Sequence, residues 1–137
     1  MTKGRSSLTG SWSGAYRYPS IAGAETVFNA QIEEVGGAFV GSLQEPNDFM
    51  PDAVSVLTAD IEGTRDGQAV TFIKFYHHEG IRHAIRYEGV ADDALMRIEG
   101  KWIIESTWSG TFFMVRDDDG AAEAVVDTAE AEIEIPR

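Results

Sequence analysis

The feature that most constrains this chain is a two-residue alternation of apolar and polar side chains, cut at short intervals by glycine and other turn residues. A period of two belongs to strands with one buried face; a helix would repeat every ~3.6 residues. The alternation predicts strands at about 11–18, 25–35, 38–45, 54–62, 68–78, 81–91, 95–104 and 108–116. Their links carry turn chemistry at Gly36-Gly37, Arg65-Asp66-Gly67, Glu79-Gly80 and Asp92-Asp93. No helical period occurs before residue 120.

Whether the apolar faces agree across successive turns tests the register. A two-residue turn at Glu79-Gly80 pairs Tyr76 with His83, Lys74 with Ile85 and Phe72 with Tyr87. A turn at Asp92-Asp93 pairs Tyr87 with Ile98 and His83 with Trp102, and the loop 105–107 pairs Trp102 with Gly110 and Met96 with Arg116. One face then reads Val70, Phe72, Tyr76, Ile85, Tyr87, Ile98, Trp102, Phe112 and Met114, while the other carries Thr71, Arg82, Arg86, Glu88, Arg97, Glu99, Lys101 and Thr111. A one-residue slip would invert every side chain, so agreement over three turns points to an antiparallel meander. Eight such strands form a sandwich or close into a barrel, and consecutive hairpins favour up-and-down closure, which leaves no edge. The expected fold is therefore all-β, a single eight-stranded antiparallel up-and-down barrel over residues 1–119 with an acidic tail over 120–137.

At 137 residues the chain suits one domain. It has no cysteine, which excludes disulfide frameworks, thiolate metal sites and thiol nucleophiles. The net charge of −12 argues against nucleic acid and anionic membranes as partners. No apolar run is long enough to span a bilayer as a helix, and Met1 to Gly10 lacks a signal-peptide core, so a cytoplasmic protein is expected. The acid concentrates at the end: Asp117, Asp118, Asp119, Glu123, Asp127, Glu130, Glu132 and Glu134 face one base, Arg137. The tail reads as solvated, with a frayed helix or an added edge strand at 131–135 as alternatives.

Gly10-Ser11-Trp12 opens the first strand and Arg116 closes the last. This pattern resembles the calycin superfamily of lipocalins, fatty-acid-binding proteins and avidins, over about residues 8–116. The resemblance implies that Arg116 packs over the Trp12 indole at a closed barrel end. The chain is shorter than a typical lipocalin, lacks its disulfide, and has no helix-turn-helix after the first strand. It is thus most similar to an avidin-like or short bacterial lipocalin-like barrel. No biotin site carries over, because no polar ligand contacts align residue by residue.

The longest loops, 19–24 and 46–53, fall at the end opposite Trp12. Inward residues near that end are Tyr16, Tyr18, Tyr76, His83, Trp102 and Trp108, with Lys74 one layer deeper. Rings offer contact area and their polar tips fix orientation, as a small-molecule cavity requires. Gly14, Gly41, Gly100 and Gly110 leave gaps in the same interior. The expectation is a non-catalytic barrel taking a small aromatic or planar ligand; a filled structural barrel and an acid–base enzyme using Tyr76, His83 and Lys74 are the alternatives.

Lys74 is a charge on the apolar face. Burial is costly for an unpaired ammonium, so an internal salt bridge with Glu33, Glu45, Asp60 or Glu62 is expected, with an anionic ligand or a Schiff base to a carbonyl as alternatives. His77, His78 and His83 alternate in direction and do not converge on a metal, and no cofactor is expected. Ile73, Phe75 and Ala84 face outward although apolar, which predicts a homodimer through Ile73 and Phe75.

Overall fold

The computed structural model describes residues 6–19, 24–47, 55–78, 84–104 and 108–117. The eight strands among them are β1 (Gly10–Arg17), β2 (Glu25–Val35), β3 (Ala38–Pro46), β4 (Val56–Asp66), β5 (Ala69–Tyr76), β6 (Ile85–Ala91), β7 (Arg97–Ile104) and β8 (Trp108–Arg116). Each pairs antiparallel with the next, and β1 closes on β8 through pairs such as Trp12 with Arg116 and Tyr16 with Phe112. β2 shows why the chain closes this way: its side chains alternate exposed and buried over all 11 residues, so one face requires an enclosed interior. The acidic tail from residue 118 lies outside the described residues. No described helix is long and apolar enough to cross a membrane.

The expected register holds for β5–β6, where Lys74 faces Ile85 and Phe72 faces Tyr87. It holds too for β7–β8, where Trp102 faces Gly110 and Ile98 faces Met114. Between β6 and β7 it does not. Tyr87 faces Trp102 and Ala91 faces Ile98, a shift of four residues from the tight turn expected at Asp92-Asp93. The cause is a longer loop capped by Asp92, whose Oδ1 accepts from the Met96 N–H at 2.7 Å and the Arg97 N–H at 3.2 Å. Leu95 adopts φ 56° in that loop and buries its side chain. Four is even, so every inward residue stays inward. Trp102, however, stands opposite Tyr87 and not His83, and His83 itself lies outside the described residues.

Aromatic rings pack against one another in the middle of the barrel. Phe72 and Tyr87 stack with centroids 4.7 Å apart and planes 6° from parallel, and Phe112 meets both edge-on. The glycines expected to leave gaps do not leave them. A Cβ at Gly14 would strike the Phe113 carbonyl, at Gly41 the Gln31 carbonyl, at Gly100 the Glu88 carbonyl, and at Gly110 the Arg17 carbonyl and the Trp102 ring. Neighbouring backbone and rings already occupy that space.

The turns Gly36-Gly37 and Gly67-Gln68, the Asp92 loop and the start of β1 share one end. There the Arg116 guanidinium lies 4.7 Å from the Trp12 ring centroid. It donates to the carbonyls of Ser7, Thr9 and Leu95, while the Trp12 indole N–H donates to Leu8 O at 2.9 Å. Gly10, at φ 143°, leaves room for Arg116 Nη1 where any side chain would crowd it. A second clasp lies beside it: Glu34 accepts from the Leu8 N–H at 2.7 Å and from Arg65 at 2.9 Å. These contacts hold the segment before β1 across the closed end, with Leu8 fully buried.

Candidate functional site

The opposite end is where the two strand periods bring a lysine and a glutamate inside. Along β3 the inward positions run Phe39, Gly41, Leu43 and Glu45; along β5 they run Val70, Phe72, Lys74 and Tyr76. β4 lies between them, and Ala59, placed between Leu43 and Tyr76 in the register, presents only a methyl group. Lys74 Nζ lies 3.0 Å from Glu45 Oε1, and both side chains are fully buried. Of the four acids expected as partners, Glu45 is the one that Lys74 meets.

Desolvating two charges is costly unless the remaining lone pairs and protons are satisfied. Here they are. The other carboxylate oxygen, Oε2, accepts from the Tyr16 hydroxyl at 2.6 Å and the Tyr76 hydroxyl at 2.7 Å, short charge-assisted bonds. The ammonium sits 4.6, 4.5 and 5.4 Å from the ring centroids of Tyr16, Tyr76 and Tyr87, within reach of their negative faces. Burial, then the negative charge of Glu45, pushes the Tyr16 and Tyr76 phenols far above their ordinary value, so both keep their protons. Burial draws the Lys74 ammonium below its usual range, and Glu45 opposes that.

Above this floor lies an aromatic layer. Tyr18 and Trp108 are near-parallel at 22° with centroids 6.2 Å apart. Trp102 stands across both, at 74° and 6.1 Å from Tyr18 and at 88° and 5.0 Å from Trp108. The Trp102 indole N–H donates to Arg17 O at 3.0 Å, and the hydroxyls of Tyr18 and Thr26 share a bond of 3.0 Å. Trp102 is buried, Tyr18 and Tyr76 are partly buried, and Trp108 remains 44% exposed.

The structure thus gathers Tyr16, Tyr18, Tyr76, Trp102 and Trp108 at one end. It seals Lys74 beneath them, away from any direct contact with the mouth. His77 sits on the outer surface, 3.1 Å from Asp60 and 2.9 Å from Thr58. Among the described residues no group of three or more His, Cys, Asp or Glu could hold a metal ion. Sequence reasoning passed over Glu34 and treated Glu45 as one partner among four. The signal for both was their parity, since each continues the inward series of its strand. On the outside, Ala15, Arg17, Arg97, Glu99, Thr111 and Phe113 border an open hollow of about 600 Å³. The Arg17 and Arg97 guanidiniums lie 5.9 and 5.0 Å from the Phe113 ring there.

No protein-family model matches the chain, and no curated protein matches it either.

Proposed function

We propose that this chain is a non-catalytic binding barrel of calycin type that takes a small, planar molecule at its open end. The calycin reading is supported by eight-strand closure together with the Gly10-Ser11-Trp12 start and the stacking of Arg116 on the indole. One observation carries the binding reading. Trp108 belongs to the inward series of β8, yet it is 44% exposed, and it shares a corner with the partly buried Tyr18 and with Trp102. Large rings left partly in water on the inner face of a barrel mouth are the surface a flat ligand would cover. The neutral planar absorber 4-nitroaniline provides the test, by quenching of tryptophan fluorescence. Saturable quenching is expected, weakened about ten-fold by Trp108→Leu. Quenching that never saturates would overturn the proposal.

The packing of Phe72, Tyr87 and Phe112 in the middle of the barrel favours a second reading, a structural barrel with a filled core, and the same titration separates the two. For assembly we propose a homodimer through the outer face of β5, where Phe75 is 44% exposed and Ile73 is half-buried. The patch is bordered by Asp60, Glu62 and Arg86, which gives it a polar rim. Sedimentation should show a dimer at tens of micromolar that Phe75→Glu converts to monomer.

A further inference from the structure

We propose that the C-terminal segment, residues 118–137, docks on the outer wall formed by β6, β7, β8 and β1 of its own chain, with carboxylates on Arg17 and Arg97 and apolar side chains over Phe113. This wall lies on the outside of the barrel and is independent of the open-end reading above.

Charge divides the outer surface of the described barrel in two. The outward positions of β2 to β5 carry Glu25, Glu33, Asp60, Glu62 and Asp66, and neither lysine nor arginine. Those of β6, β7, β8 and β1 carry Arg86, Arg97, Lys101 and Arg17 against two acids, Glu88 and Glu99. The segment after β8 holds seven acids, Asp118, Asp119, Glu123, Asp127, Glu130, Glu132 and Glu134, and one base, Arg137. The first wall repels it and the second attracts it. It also starts beside the second wall. The Asp117 N–H donates to Ser11 O at 2.7 Å, and Val115, two residues earlier, is exposed on the outer face of β8.

The second wall has a shape to match. The hollow of about 600 Å³ bordered by Arg17, Arg97, Thr111 and Phe113 lies on it. Val90, Glu99, Phe113 and Ala15 form one cross-strand row there. Ala15 faces outward by the parity of β1 yet is only 2% exposed, so the floor of the hollow lies below the side chains around it. Two guanidiniums flank the Phe113 ring, and their planar forks fit carboxylates. Their present partners, Glu25 and Glu99, form exposed pairs, which are weak enough to exchange. The segment offers the complementary mixture, since Glu130, Glu132 and Glu134 alternate with Ala131, Ile133 and Ile135. The closed barrel leaves no strand edge to extend, so docking is through side chains on the face of the wall. Doubling back from Asp117 to Phe113 takes about 14 Å, well within the reach of 20 residues. Tethering so close to the wall also gives the segment an effective concentration of about millimolar.

The chain has no cysteine, so Ala131→Cys in the full-length protein gives a single thiol for a nitroxide label. Paramagnetic broadening of backbone amide signals at neutral pH and low salt is the readout. The amides of Arg97, Thr111, Phe113 and Val115 should lose signal, while those of Val40, Ser42 and Thr58 on the acidic wall keep theirs. The difference should disappear at about 0.5 M salt, where exposed charges are screened. It should also disappear in the double variant Arg17→Gln/Arg97→Gln. Both arginines are exposed, so that barrel should fold normally. Replacing Glu130, Glu132 and Glu134 together by glutamine should have the same effect and leaves every described residue unchanged. Equal broadening of both walls, or none on either, would overturn the proposal, as would a wall signal that both sets of variants leave intact. A mixture of labelled chains with isotope-enriched unlabelled ones provides the last check: broadening of the wall in that mixture would place the segment on a second copy and overturn the docking within one chain.

Discussion

At the closed end, Arg116 and Arg65 donate to the backbone carbonyls of Ser6, Ser7, Thr9 and Leu95. At the open end, Lys74 and Glu45 meet each other and are ringed by tyrosines. Both ends bury charge, but to different effect. Closed-end charge ties a terminal segment onto a barrel that already has its ladder. Open-end charge lies inside the core, and its partners come from β1, β3 and β5, strands that are not neighbours around the wall. Removing a closed-end group therefore loosens a strap, while removing an open-end group leaves an uncompensated ion in the interior.

The largest expected effect follows from that contrast. Lys74→Met should destabilise the fold by about 3–5 kcal/mol, because Glu45 is left as a buried charge without its cation. Adding Glu45→Gln should recover much of the loss, since a neutral amide oxygen still accepts from Tyr16 and Tyr76 and no charge remains. Urea melts of the single and double variants check this. Equal losses in both would mean that the pair acts through packing and not through its charge.

The closed-end counterpart should be smaller and should depend on pH. Burial alone would raise the Glu34 carboxyl, but hydrogen bonds from Arg65 and the Leu8 N–H hold it below its ordinary 4.5. A folded-state pKa below the unfolded one adds stability that is complete above about 4.5 and is lost as pH falls through the lower folded value. Glu34→Gln should accordingly cost about 1.5–3 kcal/mol near neutral pH, the worth of charge-assisted bonds. The gap from the wild type should close below that range. A gap that is constant down to strongly acidic pH would show that the carboxylate charge plays no part in the clasp.

Much of this contrast is legible in the sequence. The two-residue alternation alone assigns inward and outward faces, and it does so even where the register slips, because the Asp92 loop adds an even number of residues. The slip itself was hidden: Asp-Asp reads as a tight turn, and only the structure shows the Asp92 side chain capping a longer loop around a buried Leu95. Lys74 stands out as a charge on an apolar face, but choosing Glu45 among four acids requires knowing that two strands separated by β4 curve toward each other. The glycines misled for a related reason. A missing side chain suggests empty space in a flat sheet, whereas in a tightly closed barrel the neighbouring backbone moves into it.

The smallest expected effect on stability is at the mouth, and it separates a binding surface from a structural one. Trp108→Leu removes an aromatic wall that is 44% exposed, and its ring meets Tyr18 and Trp102 at the rim of the open end. Rings that form a core cost several kcal/mol when truncated, whereas a half-solvated one replaced by another apolar side chain should change stability by about 0.5 kcal/mol or less. Thermal melts with and without saturating 4-nitroaniline check both sides of this statement. The ligand should raise the wild-type melting temperature and raise that of Trp108→Leu much less, because stabilisation follows the affinity for the folded state. A loss of several kcal/mol in the unliganded variant would instead make Trp108 part of the core, and the asymmetry between the two barrel ends would then be one of packing alone.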